Sequence, residues 1–413
     1  MRKMIFSLAT MVGLALMASP CLAGFTLFDT AKDSMFIGRG EFTSLERTLK
    51  GDRLVFRCDT ALKGNVTGEV TLEPFEIAPA DAALGREAIV GFQLINGKYY
   101  FAYQRRGVFM AEDNLNSCDK ALRDFIAVNA PHQPLIEGEL RKRLEYQNLQ
   151  YEGEYPADLM QAWRSTLVRQ CSYHNSVAAR DAAKVLFEHA LFKGQASLAE
   201  IQKVAAEIPA TPQGTTERAY MLLLVRSQAS AHPAYETLIS MLNEETADYN
   251  VGHIADYLLV KDRGQVFETL RGILTSPAST SQQMVNALQV LQAFKDAHGL
   301  VIVRDALIAQ QSKGVEGFDK NVTRRALLAM RDTPDASSVD VIVAFYNSEI
   351  CTAKFEFQKR ALQALAVIDT DYTNNFVRHV VQTTKVEALK QFAKALLPEN
   401  KSYRAVVTVP NED

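Results

Sequence analysis

Apolar and polar residues follow two rhythms along the chain. Between residues 25 and about 115 they alternate with the period of two expected of half-buried strands. Met35 to Phe42 reads as a strand bent at Gly38 and Gly40, Arg53 to Cys58 alternates basic and apolar side chains, and Val66, Val70 and Leu72 share one face of a third strand. Ile89 to Leu94 and Tyr99 to Tyr103 flank Asn96-Gly97, a dipeptide that readily takes the positive φ angles of a tight hairpin, so these two strands are expected to pair. Arg106 to Met110 adds a last strand. Five or six short strands in so few residues predict a small all-β domain, an OB-like barrel or a sandwich.

From about Cys118 to Leu396 the period becomes helical, broken by Pro or Gly at roughly one-helix intervals. First helices of successive pairs are expected near Val177, Thr215, Asp248, Ser281, Asp319 and Lys354, with their partners near Ser197, Ala234, Gly264, Leu300, Ala336 and Tyr372. A steady step in the mid-thirties is the mark of stacked helical hairpins, each of which needs neighbours to bury its apolar stripe. Asn286-Ala287-Leu288, Arg325-Ala326-Leu327 and Arg360-Ala361-Leu362 recur at this step and place Ala287, Ala326 and Ala361 at close-packing points. Val301 to Val303, Val339 to Val343 and Phe376 to Val381 are the expected buried stripes of the partner helices.

The first residues set a compartment. Arg2 and Lys3, an apolar run from Met4 to Ala18 and the small residues of Ser19-Pro20-Cys21-Leu22-Ala23 form the three parts of a secretory signal peptide. Cleavage is expected near Ala23-Gly24, giving a periplasmic or secreted protein; lipidation at Cys21 is the alternative, against which stand Pro20 and the lack of a preceding Leu. No later stretch reads as a membrane span. Losing Arg2 and Lys3 takes the 45 basic residues to 43 against 48 acidic ones, a formal charge of −5 rather than −3. With its densest basic run, Arg141-Lys142-Arg143, set among glutamates, the chain has no footprint for nucleic acid. The expected organisation is α+β and multidomain: signal peptide 1–23, β domain 24–116, helical connector 117–176, helical array 177–398 and tail 399–413.

The paired helices resemble HEAT repeats, most clearly over residues 336–382. The tetratricopeptide alternative shares the step but not the residue pattern, and the single tryptophan, Trp163, lies outside the array. The resemblance, over about 177–396, implies an α-solenoid whose extended surface binds proteins. In Phe36-Ile37-Gly38-Arg39-Gly40, Val55-Phe56-Arg57 and Leu62-Lys63-Gly64 the β half resembles the netrin and tissue-inhibitor-of-metalloproteinase type of OB-like barrel. Inhibitors of that family chelate a protease's zinc through a cysteine at the mature N-terminus; a start at Gly24 supplies none.

Candidate chemistry is sparse. The seven histidines are scattered, and Cys171 with His174 makes half a metal site at best, more simply a buried thiol beside a helix-end histidine. No nucleophile motif, metalloprotease helix or phosphate-cradling loop is legible, and Glu244-Glu245 and Asp369/Asp371 read as solvated or capping groups. No catalytic, cofactor-binding or metal-ligating residue is assigned. Cys58, ending a strand, and Cys118, opening the first helix, are the expected disulfide, which would contribute about 3–5 kcal/mol by closing a long loop; four buried thiols are the alternative. The expected function is non-catalytic: a binding or scaffold protein with protein partners on the solenoid surface. The alternative is a hydrolase-like envelope enzyme at the junction of the two halves, drawing on Arg105, Arg106, Asp113, Asp119 and His132.

Overall fold

A computed structural model describes residues 26–48, 51–75, 84–102, 108–110, 114–145, 153–174, 176–227, 235–259 and 263–400. The expected signal peptide, its cleavage point and the tail beyond Asn400 lie outside the described residues. A closed barrel is followed by an all-helical region, so of the two expected β architectures the barrel is the one present. Strands β1 (Phe36–Thr48), β2 (Gly51–Lys63), β3 (Gly68–Phe75), β4 (Glu87–Ile95) and β5 (Lys98–Phe101) form the ring β1-β2-β3-β5-β4-β1. Only β3 and β5 run parallel, meeting at Leu72 and Tyr99, while β6 (Val108–Met110) continues along β4. Three register shifts bend β1 around β2. At one of them Gly40 is required, because a Cβ there would lie 1.8 Å from the Arg57 carbonyl oxygen. Asn96 and Gly97 take φ of 51° and 75° in the expected hairpin, and Phe42, Phe56, Leu72, Val90 and Phe92 fill the interior.

A short helix that the sequence rhythm does not reveal precedes the barrel. In α1 (Leu27–Asp33) every residue but Asp29 is buried, so no polar face betrays a period. Its start is nevertheless written in the chain: Thr26 and Asp29 form a reciprocal capping box. Helix α2 (Leu115–Asn129), a 3-10 turn (Ala130–His132), α3 (Gln133–Glu145), α4 (Ala157–Gln170) and α5 (Val177–Glu188) follow the barrel. Phe28 sits edge-on to Phe125, Trp163, His189 and Phe192, with ring centroids 5.2 to 5.5 Å away. At the other end of α1 the Ala31 carbonyl accepts hydrogen bonds from Lys63 Nζ (2.9 Å) and Asn129 Nδ2 (3.3 Å), and the Asp33 carbonyl accepts one from Gln93 Nε2 (2.9 Å). Two barrel strands and α2 thus satisfy the carbonyls that a helix end leaves open. This explains why the first compact unit extends from Met1 to Glu200 rather than ending with the β domain.

Helix α6 (Leu198–Glu207) crosses into the second unit, Ile201–Asp413. There the first helices are α7 (Thr216–Ser227), α9 (Asp248–Leu258), α11 (Ser281–Phe294), α14 (Lys320–Asp332) and α17 (Phe355–Ile368), each within a residue or so of its expected start. Their partners are α8 (Tyr235–Met241), α10 (Arg263–Thr275), α12 (Ala297–Ser312), α15 (Val339–Tyr346) and α18 (Asp371–Thr383). Single-turn helices α13 (Gly314–Gly317) and α16 (Glu349–Thr352) lie in connections, and α19 (Glu387–Ala395) packs on α17 and α18. First helices contact one another in series, forming one layer; α10, α12 and α15 do the same in a second. Ala287, Ala326 and Ala361 are fully buried, as their close-packing role demands. Val301 is not: it is 37% exposed, because the buried stripe of α12 runs through Ile302, Val303, Ala306 and Leu307. Among the described residues no helix is long and apolar enough to cross a membrane.

Two predictions concern α1. Phe28→Ala is expected to destabilise the chain by about 3–5 kcal/mol, because four surrounding rings anchored on separate elements cannot close the cavity; urea unfolding followed by tryptophan fluorescence measures this. The second concerns pH. Asp181 accepts the Leu27 N–H at 3.2 Å, and burial pushes its carboxyl up to about 6 against the pull of Arg180. Burial also acts to raise Asp29, but the hydrogen bond with His189, the Lys32 charge and the Thr26 hydroxyl together outweigh it and hold the group down at about 2. The folded chain therefore binds the Asp181 proton more tightly than the unfolded chain, and stability from this group rises as pH falls from above 6 to 3.8. The Asp29 contribution is complete above 3.8 and is lost as pH falls towards 2. Asp181→Asn keeps an acceptor for Leu27, so urea midpoints across pH are expected to lose the upper gain and retain the acid limb.

Candidate functional site

In the first unit, two of the five junction residues singled out from sequence, Asp119 and His132, are described, and they lie apart. Asp119, in the second turn of α2, is held by Arg39 of β1 (3.4 Å) and by Arg123 one turn on, while Arg39 also donates to Glu87 at 2.7 Å. His132 Nε2 lies 3.7 Å from Asp158. Nearly the whole of α2 separates Asp119 from His132, about 20 Å at 1.5 Å per residue, so the two cannot face one substrate. Arg105, Arg106 and Asp113 lie outside the described residues. No disulfide joins Cys58 to Cys118: both are buried thiols, as are Cys171 and Cys351. Cys58 belongs to the barrel interior, where its Sγ donates to the Val66 carbonyl at 3.1 Å, and Cys118 lies on the buried side of α2. Cys171 is the buried C-cap of α4. Among the described residues no group of three His, Cys, Asp or Glu is placed to hold a metal ion.

The second unit carries a repeated surface. Along its second layer Arg263 reaches Asp296 (2.7 Å), Arg304 the Ser337 carbonyl (2.7 Å) and Gln311 the Ala344 carbonyl (3.4 Å), each link spanning 33 residues. In the first layer the reach is longer. Gln289 of α11 donates to the Asp248 carbonyl at 2.7 Å, and Arg325 of α14 donates to the Asp248 carboxylate at 2.9 Å, across α11. One side chain thus spans two repeats of the first layer, where successive helices pack against one another. Tyr249, 47% exposed, stands beside this polar lane.

A charged pair is buried beneath the lane. Arg218 Nε lies 2.8 Å from Glu245 Oε2, with both side chains out of solvent, and Arg218 Nη1 donates to the Thr211 carbonyl at 2.9 Å. Glu245 Oε1 accepts the Thr246 and Ala247 N–H groups at the start of α9, and Asn286 Nδ2 donates to the Leu242 and Glu245 carbonyls. Glu245 is thus a capping group, as its place in the sequence suggests, but a buried rather than a solvated one.

A cleft of about 440 Å³ opens between the last turn of α10, the connection into α11, and α12. Its volume falls in the range of ligand sites. Leu274, Met284, Ile302 and Ala306 make an apolar floor, with Arg271, Asp305 and Lys313 at the lip. Arg271 donates to Glu268 at 2.8 Å. Asp305 and Lys313 are exposed and make no side-chain ion pair among the described residues. Sequence reasoning missed the cleft because its walls come from two successive helical pairs and include no unusual residue type. A comparison of the chain with protein families, curated proteins and solved structures finds no match.

Removing one member of the buried pair should be far worse than removing both. Arg218→Ala is expected to cost about 3–5 kcal/mol by stranding Glu245, whereas Arg218→Met combined with Glu245→Gln should recover most of that loss. Urea unfolding of the single and double variants checks both statements.

Proposed function

We propose that the chain is an exported, non-catalytic binding protein: a scaffold whose protein partners dock on the inner face of a HEAT-like solenoid. The observation that carries the reading is the pair of interaction registers in the second unit. Links one repeat apart run along the second layer, and a link two repeats long crosses the first. Stacked hairpins of this kind present the same helix face again and again, which suits a partner too extended for a single pocket. The exposed Tyr249 beside the Asp248–Arg325 pair supplies an aromatic and a charge together, the combination that dominates binding energy at protein interfaces. The signal-like pattern of residues 1–23 supports a periplasmic or secreted setting. The netrin-type likeness bears on the topology of the barrel; protease inhibition through an N-terminal cysteine is not part of the reading.

Photocrosslinking tests it. A benzoylphenylalanine introduced at Tyr249 or Gln289 in the full chain, and at the exposed Tyr372 of α18 as control, is irradiated in the cells that make the protein. Discrete adducts are expected from the two inner positions, weakened by Arg325→Glu. Adducts of equal strength from Tyr372, or none from the inner positions, would remove the inner face as the docking surface.

A further inference from the structure

We infer that the cleft between α10 and α12 takes an extended peptide from a partner protein, reading the pattern cation–x–apolar–x–anion. This goes beyond the inner-face reading, because the cleft lies against the second layer, but it rests on the same premise that the chain binds proteins. Three observations combine. The floor is apolar and deep enough for one bulky side chain, since Ile302 and Ala306 of α12 face Leu274 and Met284 across it. Asp305 and Lys313 line the same cleft, carry opposite charges and have no ion-pair partner among the described residues. Arg271, the third charge at the lip, is already engaged by Glu268.

The spacing of the two uncommitted charges sets the form of the ligand. Eight residues of helix separate Asp305 from Lys313, about 12 Å at 1.5 Å per residue. An extended chain covers about 13 Å in four residues, and its side chains at i, i+2 and i+4 point to one face. A peptide laid along α12 therefore places a basic side chain at Asp305, an apolar one over Ala309, midway between the charges and one turn on from Ala306, and an acidic one at Lys313. A helical ligand fits less well, because charges 12 Å apart on it would be eight residues apart, with two turns of side chains between them over a cleft that holds one anchor.

Fluorescence anisotropy on the full chain tests the assignment with four end-blocked, labelled peptides: Lys-Ser-Leu-Ser-Glu, Lys-Ser-Leu-Ser-Lys, Glu-Ser-Leu-Ser-Glu and Lys-Ser-Ser-Ser-Glu. The first is expected to bind tightest, by about three- to fivefold over each like-charged peptide, the effect of one exposed ion pair made or opposed. Asp305→Lys should switch the preference to the doubly acidic peptide and Lys313→Glu to the doubly basic one. Ala309→Trp, at an exposed position of the lining, should fill the middle of the cleft and abolish binding of all four, while an unchanged circular dichroism spectrum shows that the fold persists. Equal affinities for the three leucine peptides, no switch in the charge variants, or binding untouched by Ala309→Trp would each overturn the proposal. If the peptides fail while Tyr249 and Gln289 still crosslink, the cleft assignment falls alone; if crosslinking fails while the peptides bind and switch, the inner-face reading falls alone.

Discussion

The first unit depends on how its seven-residue helix is held. Isolated, a helix of that length has no stability of its own, because the cost of nucleation exceeds what two turns of hydrogen bonds return. Here the capping box closes one end of α1, while Lys63, Gln93 and Asn129 bind the carbonyls of the other. Between them Phe28 supplies four edge-to-face ring contacts, each worth about 0.5–1.5 kcal/mol beyond simple burial. Those partners come from two strands, two helices and the turn after α5. Without α1 the barrel and the helices that follow would lose the element that both sides hydrogen-bond to.

Much of the architecture was legible because it repeats. Alternation located the strands, Asn96-Gly97 fixed a hairpin, and Pro and Gly punctuation put the first helices within a residue or so of where they begin. What stayed hidden had no period to show. Helix α1 is buried on nearly all sides, so only the Thr26/Asp29 capping pair marks it. Val301 belongs to an apolar triplet in which the sequence cannot say which two residues face inward; the helix phase set by Ile302, Ala306 and Leu307 leaves it in solvent. The cleft was out of reach for another reason. Leu274, Met284 and Ile302 are ordinary core residues one by one, and only the stacking of two hairpins leaves space between them.

The two layers of the second unit divide their labour by geometry. On the first layer the helices are close enough for Arg325 to meet Asp248 two repeats away, which favours polar side chains that interlock. On the second layer each link stops at the next repeat, and the gaps between helices can open into a cleft. A single stack thus offers interlocked polar side chains on one layer and a cleft on the other.

The position of α1 also has a bearing on the order in which the chain acquires its structure. Phe28 is among the first residues of the described chain, yet its ring partners lie at Phe125, Trp163, His189 and Phe192. The barrel strands are neighbours in sequence and can pair as they emerge, but this helix must wait until more than 150 further residues have appeared. Contacts of such long sequence separation form slowly, and while they are missing an apolar segment with a bare aromatic ring is open to any chaperone that grips unfolded polypeptide. Docking of the chain's beginning is therefore the closing event in folding its first half.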